Sequence, residues 1–237
     1  MMFVRATAVY AAFLAGAISV YPSVPIIVSG GAGRRPAMNL INKAEEQLKA
    51  GDVAGAKRNV DAALHIDPEF WPALYVRAKI YAMQGHPQLA IQDCNEALRK
   101  YPGFVDAAVL RATINAATGK YAEALKEYNY LISLHPATVT LARVLKQRAW
   151  LQATCPNPSF RNGAQAVKDA RAACSMLAWK DENTIDTLAA ACAEVGDFDS
   201  AVRYASQALS IQGIAPADSK RIQRHLELFR QRKPIRS

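Results

Sequence analysis

Four cysteines are the residues of this chain best suited to bind zinc or to act as nucleophiles: Cys94, Cys155, Cys174 and Cys192. Zinc sites in proteins usually hold cysteines in C-x-x-C pairs or combine them with closely spaced histidines, because neighbouring ligands must reach one ion. None of the four belongs to such a pair, and none stands three or four residues from a histidine. The sequence therefore predicts neither a metal site nor a cofactor.

The histidines and carboxylates give no better basis for catalysis. The four histidines are spread along the chain, at His65, His86, His135 and His225. A nucleophile needs a base within hydrogen-bonding reach, and catalytic carboxylates must meet across a cleft. The closest acidic pairs instead fit helix faces or helix N-caps, at Glu45–Glu46, Asp181–Glu182 and Asp197 with Asp199. We therefore expect no enzymatic activity.

The elements that carry these residues are expected to be helices. The chain has 237 residues, of which 51% are hydrophobic and 21% charged, enough to bury a sizeable core. Alanine and leucine are plentiful and β-branched residues do not alternate with polar ones, which is typical of an all-α protein. The formal net charge is +9, with the excess concentrated after residue 217. The rest of the chain is nearly balanced.

The N-terminal segment differs from the rest of the chain. Arg5 precedes an uncharged apolar run from Ala6 to Ser29, and residues 30–36 are expected to form a linker. The run predicts an export signal cleaved after Ala17, because Ala15-Gly16-Ala17 has the small residues that signal peptidase accepts. An uncleaved membrane anchor stays open, although prolines at 22 and 25 shorten the uninterrupted helix. Residues 1–36 are thus expected to be a signal or anchor plus linker in an exported or inner-membrane-anchored envelope protein.

A period of 34 residues appears when frames begin at Ala37, Trp71 and Val105. In all three frames alanine occupies positions 8 and 20, glycine position 15 and proline position 32. Alanine lets two helices approach closely, glycine permits the turn between them, and proline ends the second helix. The matching residues are Ala44, Ala78, Ala112, Ala56, Ala90, Ala124, Gly51, Gly85, Gly119, Pro68, Pro102 and Pro136. Position 24 carries an apolar side chain, at Val60, Cys94 and Tyr128.

Two further units and a terminal helix follow. The fourth fits the frame only after an insertion that runs from Thr154 to Gly163, and the fifth has glycine again at position 15 as Gly196. The last helix is expected to be capped by Asp218 or Ser219. Its apolar face is Ile222, Leu226 and Phe229, and its other face is strongly charged, as a terminal capping helix requires.

These columns resemble the tetratricopeptide repeat family, although Leu40, Leu74 and Ala108 stand where the family has tryptophan. The resemblance implies a right-handed solenoid of about five helix hairpins in residues 37–237. The expected repeats are 37–70, 71–104, 105–138, 139–181 and 182–215, followed by a capping helix at about 218–232.

Residues after Ala149 also resemble a subtype of exported bacterial tetratricopeptide proteins, through the segments 153–156, 172–174, 179–181, 186–190, 226–229 and 233–234. That resemblance suggests a disulfide between Cys155 and Cys174. Helix geometry argues against it, because Cys174 should lie about 15 Å along the second helix from the turn that holds Cys155. The pairing stays open at this point.

The family resemblance also implies a partner-binding groove lined by the first helix of each hairpin. Carried over by repeat position, the predicted lining residues are Ile41, Glu45, Tyr75, Lys79, Met83, Val109, Thr113, Arg143, Lys146 and Trp150. Such a lining suits a peptide with hydrophobic anchors and some acidic residues. The competing interpretation for each residue is that it covers the core of a short repeat array.

We therefore expect a non-enzymatic scaffold of the bacterial cell envelope that binds a protein or peptide segment in this groove. The alternative is a basic protein that associates with a membrane surface or nucleic acid through its C-terminal helix. No aromatic residues interleave with the basic ones there, as base stacking would require, so a nucleic-acid partner is not expected.

Overall fold

The computed structural model describes residues 34–236, and the expected signal peptide and its cleavage site lie outside them. The described residues form eleven α-helices and one 3₁₀ turn, Pro158–Phe160. No helix among them is long and apolar enough to cross a bilayer. The helices are α1 Arg34–Lys49, α2 Val53–Ile66, α3 Trp71–Met83, α4 Pro87–Lys100, α5 Val105–Ala117, α6 Tyr121–Ser133, α7 Thr138–Thr154, α8 Gly163–Met176, α9 Glu182–Glu194, α10 Phe198–Leu209 and α11 Pro216–Arg230.

The chain divides into two compact units, and the first ends at Lys120. In this unit α1 pairs with α2 and α3 pairs with α4, each through a short turn. The first helices also adjoin one another, since α3 contacts both α1 and α5. The core between them is built from small and branched residues around Ile41, Val60, Phe70 and Ile80, each no more than 2% exposed.

The second unit begins at Tyr121 and contains α6 to α11. Helices α7 and α8 form one hairpin, and α9 and α10 form the next. Helix α9 packs on both α7 and α8, and α11 covers α10 and part of α9. Its core contains Ile185, Leu188, Ile222 and Phe229, all fully buried.

The structure confirms the physical role of the repeated alanine and glycine columns. Every alanine at positions 8 and 20 of the three regular frames is fully buried, as are the side chains at position 24. Gly51, Gly85 and Gly119 have φ of 81°, 78° and 83°, in the left-handed region that side chains other than glycine rarely adopt. Each therefore lies just after the end of a first helix, α1, α3 or α5, as the spacing predicts.

Two predicted boundaries are corrected. Helix α1 begins at Arg34, so the last three residues of the expected linker are helical; Pro36 lies in the first turn, where no backbone N–H is needed. Helix α11 begins at Pro216 rather than after a cap at Asp218 or Ser219, and Asp218 lies in its first turn. Proline fits that first position because its φ is already helical.

The insertion in the fourth unit is a short, well-capped connection. Helix α7 continues through Thr154, and α8 starts at Gly163 after the side chain of Asn162 accepts a hydrogen bond from the backbone N–H of Gln165 at 3.0 Å. The backbone N–H of Asn162 in turn donates to the carbonyl oxygen of Gln152 at 3.0 Å. These bonds tie the insertion to the end of α7.

Candidate functional site

The predicted groove residues belong to different units. Ile41 and Glu45 lie on α1, Tyr75, Lys79 and Met83 on α3, and Val109 and Thr113 on α5, all in the first unit. Arg143, Lys146 and Trp150 lie on α7, in the second unit. All ten are on first helices, as the repeat positions imply. Partner binding at these positions stays a prediction.

Three of the predicted residues in the first unit are buried. Ile41 is 2% exposed, Val109 5% and Thr113 2%, so they offer almost no surface to a ligand in this structure. Ile41 belongs to the core around Val60 and Phe70. The Thr113 hydroxyl donates to the carbonyl oxygen of Val109 at 2.8 Å within the helix. For these three the interpretation as packing residues replaces that of groove lining.

The other predicted residues of the first unit form a partly exposed patch, the unit 1 face: Glu45, Tyr75, Lys79 and Met83. Lys79 Nζ lies 3.3 Å from Glu45 Oε1, which joins position 9 of one repeat to position 9 of the next. The same ammonium is 5.5 Å from the centre of the Tyr75 ring, within cation–π range. Met83 is 37% exposed at the end of α3. The face therefore offers an apolar side chain beside an ion pair.

An aromatic cluster of Trp71, Tyr101 and Phe104 contacts Tyr75 of this face. The Tyr75 ring centroid is 4.9 Å from that of Phe104, and Trp71 stacks on Tyr101 at 5.0 Å. Phe104 is 7% exposed, whereas Tyr101 is 48% exposed. Because edge-to-face and stacked rings restrict one another, Tyr75 is held in a fixed orientation.

Lys146 does not have the surface position that the repeat predicts. It is 5% exposed, and burial lowers the pKa of its ammonium, while Asp181 opposes that effect and Arg143 adds to it. A buried lysine among residues of its own unit is a packing feature rather than an open contact for a ligand. We therefore remove Lys146 from the candidate site.

The pH dependence of stability tests this environment. Because the folded-state pKa of Lys146 is lowered, the unfolded chain binds more protons between that pKa and the usual lysine value, and stability rises with pH there. We expect the free energy of unfolding of the wild-type protein to increase relative to that of Lys146→Met as the pH rises from the lowered pKa toward the ordinary lysine pKa of 10.5. Urea titrations at several pH values would measure the difference, and a pH-independent difference would contradict the assignment.

Trp150 packs against the C-terminal helix. Its ring centroid is 5.7 Å from that of His225 on α11, and His225 Nδ1 is 2.8 Å from Asp186 Oδ2 on α9. Asp186 is 1% exposed and also lies 4.0 Å from Arg221 Nε. Three helices of the second unit thus share one polar cluster. His225 and Arg221 hold the capping helix to α9 instead of lying on its solvated side.

A second cluster joins the insertion to the C-terminal tail. Arg161 Nε lies 2.9 Å from Glu194 Oε1, and Arg236 Nη1 lies 2.7 Å from Glu194 Oε2. Arg161 also donates to the carbonyl oxygen of Cys155 at 3.0 Å. Ile235, 6% exposed, belongs to the core of the unit. Glu194, another first-helix residue, therefore binds two arginines of its own chain.

Sequence reasoning missed one repeated ion pair. Arg77 donates two hydrogen bonds of 2.8 Å to Asp93, and Arg148 donates two of 2.7 and 2.9 Å to Asp169. The partners are 16 residues apart in the first pair and 21 in the second, where the connection between the helices carries the insertion. An arginine at position 7 and an aspartate at position 23 are the signal that would have predicted the bridge. It fastens the two helices of the α3–α4 hairpin and those of the α7–α8 hairpin.

The four cysteines are buried thiols, so the suggested disulfide between Cys155 and Cys174 is not formed in this structure. Burial raises the pKa of Cys174 to about 12 and that of Cys192 to about 11, so both are protonated at neutral pH. A protonated buried thiol is a poor nucleophile. Among the described residues 34–236, no group of three or more metal-binding side chains comes together.

Comparison with known proteins is consistent with this repeat architecture. Residues 41–103 and 95–137 match the family model of the tetratricopeptide repeat. Two co-chaperones with tetratricopeptide repeats and a J domain, from Cryptococcus neoformans and Fusarium oxysporum, are 34% and 33% identical over 91 and 93 residues. The matches cover 38% and 39% of this chain but only 17% and 18% of those proteins.

Solved structures resemble a larger part of the chain. A tetratricopeptide protein of Thermus thermophilus aligns with a TM-score of 0.69 and 17% identity, over 81% of this chain and 100% of its own. PilF of Pseudomonas aeruginosa aligns with a TM-score of 0.65 and 14% identity, over 84% of this chain and 90% of its own. At these identities the likeness shows the fold alone.

Proposed function

Because residues 41–137 match the tetratricopeptide repeat family and the fold resembles that of tetratricopeptide proteins, we propose that the chain is a non-enzymatic scaffold that binds a polypeptide segment at the unit 1 face. The observation that carries the proposal is the placement of exposed Met83 beside the partly exposed Tyr75 ring and Lys79–Glu45 pair on neighbouring first helices. A segment with one apolar anchor and an adjacent polar or charged group would fit it, since both kinds of contact are available side by side.

The second unit is a weaker candidate for this binding. Lys146 is buried, Trp150 packs on His225, and Asp186 and Glu194 bind residues of α11, the insertion and the tail. Side chains already engaged within the unit would have to break those contacts to take up a ligand. Arg143 stays a predicted contact without further support.

The exchange of two residues of the unit 1 face tests the proposal. Lys79→Gln with Met83→Ser should weaken partner capture by the immobilised full chain at least tenfold, about 1.4 kcal/mol. The matched control is Lys57→Gln with Leu89→Ser, which removes the same kinds of side chain from the second helices α2 and α4, where Leu89 is 42% exposed. Equal capture by the two double variants would contradict binding at the unit 1 face.

We also propose that the scaffold works in the bacterial cell envelope. The support is the apolar run Ala6–Ser29 with Ala15-Gly16-Ala17, which fits export with cleavage or, alternatively, an inner-membrane anchor. Intact-mass analysis of the natively expressed protein distinguishes them: a mature start near Ile18 indicates cleavage, and an uncleaved chain in the membrane fraction indicates an anchor. An uncleaved chain in the cytosol would contradict both.

A further inference from the structure

The positive charge of this protein is concentrated at one end of the second unit. Residues 37–215 carry 19 basic and 18 acidic side chains, whereas residues 216–237 carry seven basic and two acidic ones. The net charge of +9 therefore does not spread over the repeats. Five of the nine net positive charges lie on α11 and the tail that follows it, and three more are the arginines of residues 1–36.

Two of these seven cations are neutralised inside the unit. Arg221 Nη1 lies 2.5 Å from Asp218 Oδ1, and its guanidinium also faces Asp186. Arg236 pairs with Glu194. Their structural role explains their presence in the sequence without any external partner.

The other five form what we call the α11 basic face, and all are exposed: Lys220, Arg224, Arg230, Arg232 and Lys233. Within residues 34–236 none of them forms an ion pair with a carboxylate. Arg224 donates to the carbonyl oxygen of Lys220, Lys233 donates to Gln231, and Arg232 lies 5.4 Å from the centre of the Phe198 ring. The carboxylate of Glu227 is the one acidic group exposed on the described part of α11.

The surroundings of this face favour one class of anionic partner. The apolar side of the helix, Ile222, Leu226 and Phe229, is buried in the core, so it is not available to enter a bilayer. Phe229, the one ring of Phe, Tyr or Trp type on α11, is fully buried, and Arg232 already lies over the half-buried Phe198 ring beside the face, so neither ring is a free platform for stacking nucleic-acid bases. Guanidinium groups pair with carboxylates, as they do with phosphates, through two parallel hydrogen bonds, and an acidic polypeptide needs neither an apolar helix side nor a stacking ring.

The spacing along the helix indicates how such a polypeptide would lie. Lys220 and Arg224 are about one turn apart on the same side of the helix, about 6 Å along the axis at about 1.5 Å per residue, whereas Arg230 lies about 120° around the helix from Arg224. In an extended chain the rise between Lys220 and Arg224 corresponds to about two residues, at about 3.3 Å each. We propose that the α11 basic face binds an extended acidic segment of a partner protein, with carboxylates two residues apart at Lys220 and Arg224.

This surface goes beyond the proposed function because it lies on a different helix and unit from Tyr75 and Met83. The carboxylate of Glu227 lies between Arg224 and Arg230 in the sequence and repels an acidic partner. The face is therefore net positive but contains one negative charge. The Glu227 carboxylate accepts a hydrogen bond from Gln231 Nε2 at 3.1 Å, which replacement by glutamine can largely preserve. Removing the negative charge of Glu227 is therefore a specific test of this helix face.

The experiment measures fluorescence anisotropy of a labelled oligoglutamate peptide with the full chain, at low and at physiological ionic strength. Arg224→Gln with Arg230→Gln and Lys233→Gln should weaken binding about tenfold at low salt, and Glu227→Gln alone should strengthen it about threefold. The matched control removes three exposed lysines elsewhere, as Lys43→Gln, Lys49→Gln and Lys126→Gln. This control should change the affinity less than about twofold, although it lowers the net charge by the same three units as the triple variant of the α11 basic face.

Three results would overturn the proposal. They are no binding of the peptide at low salt, an equal loss in the control variant, and tighter binding to phosphatidylglycerol vesicles or to a single-stranded oligonucleotide than to the peptide. The variants at Lys79 and Met83 should leave oligoglutamate binding unchanged, so failure here and failure of the scaffold proposal are separate outcomes.

Discussion

Replacing Asp169 by alanine is expected to lower the free energy of unfolding of the second unit by about 3 kcal/mol, because it leaves the Arg148 guanidinium partly buried without its carboxylate. Asp169 is 3% exposed and accepts hydrogen bonds from Arg148 and from Gln165 Nε2, the latter at 2.7 Å. Urea unfolding followed by circular dichroism would measure the loss.

Two comparisons isolate the effect of the ion pair. The double variant Arg148→Met, Asp169→Leu should recover most of the lost stability, because an apolar pair of similar size often replaces a buried ion pair without loss. Asp61→Ala, which breaks the exposed pair with Lys57, should cost no more than about 1 kcal/mol. An Asp169→Ala protein as stable as wild type would show that the bridge does not hold the α7–α8 hairpin together.

Replacing Phe229 by alanine should cost about 3 to 5 kcal/mol, the usual range for emptying a fully buried aromatic site. The change would loosen α11 from α10 and expose the core at Ile222 and Leu226. Hydrogen–deuterium exchange should therefore rise first in α11 and then in α9.

The control for this prediction is Gln223→Ala, an exposed position on the same helix, which should leave exchange and stability nearly unchanged. If Phe229→Ala unfolded at the wild-type urea concentration with unaltered exchange in α11, the terminal helix would not act as the cap of the second unit.

The sequence predicts the hairpins well because their determinants are local and periodic. A fully buried alanine at positions 8 and 20 and a glycine with positive φ at position 15 recur in each regular repeat, so one repeat predicts the next. The earlier starts of α1 and α11 also have local causes. Pro36 and Pro216 each lie in the first turn of their helix, where proline is favoured because its φ is already helical.

The candidate site is less predictable for a physical reason. A repeat position specifies which side of a helix a residue occupies, but not how deeply its neighbours cover it. Ile41 and Lys146 lie on first helices as predicted and are nevertheless 2% and 5% exposed. Burial depends on the size of side chains from elements distant in sequence, which no single frame contains.

The long-range polar clusters show the same limit. His225 meets Asp186 across 39 residues, and Arg161 meets Glu194 across 33. Neither separation is a regular spacing within one repeat, because one partner lies in the terminal helix or the insertion. The Arg77–Asp93 bridge is different: its two repeat positions recur in the fourth repeat and could have been found from the sequence.

The central claim is that the unit 1 face holds a polypeptide partner, and site-specific photo-cross-linking tests it most directly. A photoreactive phenylalanine analogue at Met83, 37% exposed on α3, is compared with the same analogue at Leu89, 42% exposed on α4, in cells that express the full chain natively. We predict a discrete cross-linked protein adduct at position 83 that disappears with Lys79→Gln, and none at position 89. An adduct at position 89 but not at 83, or the same adducts at both, would contradict the account.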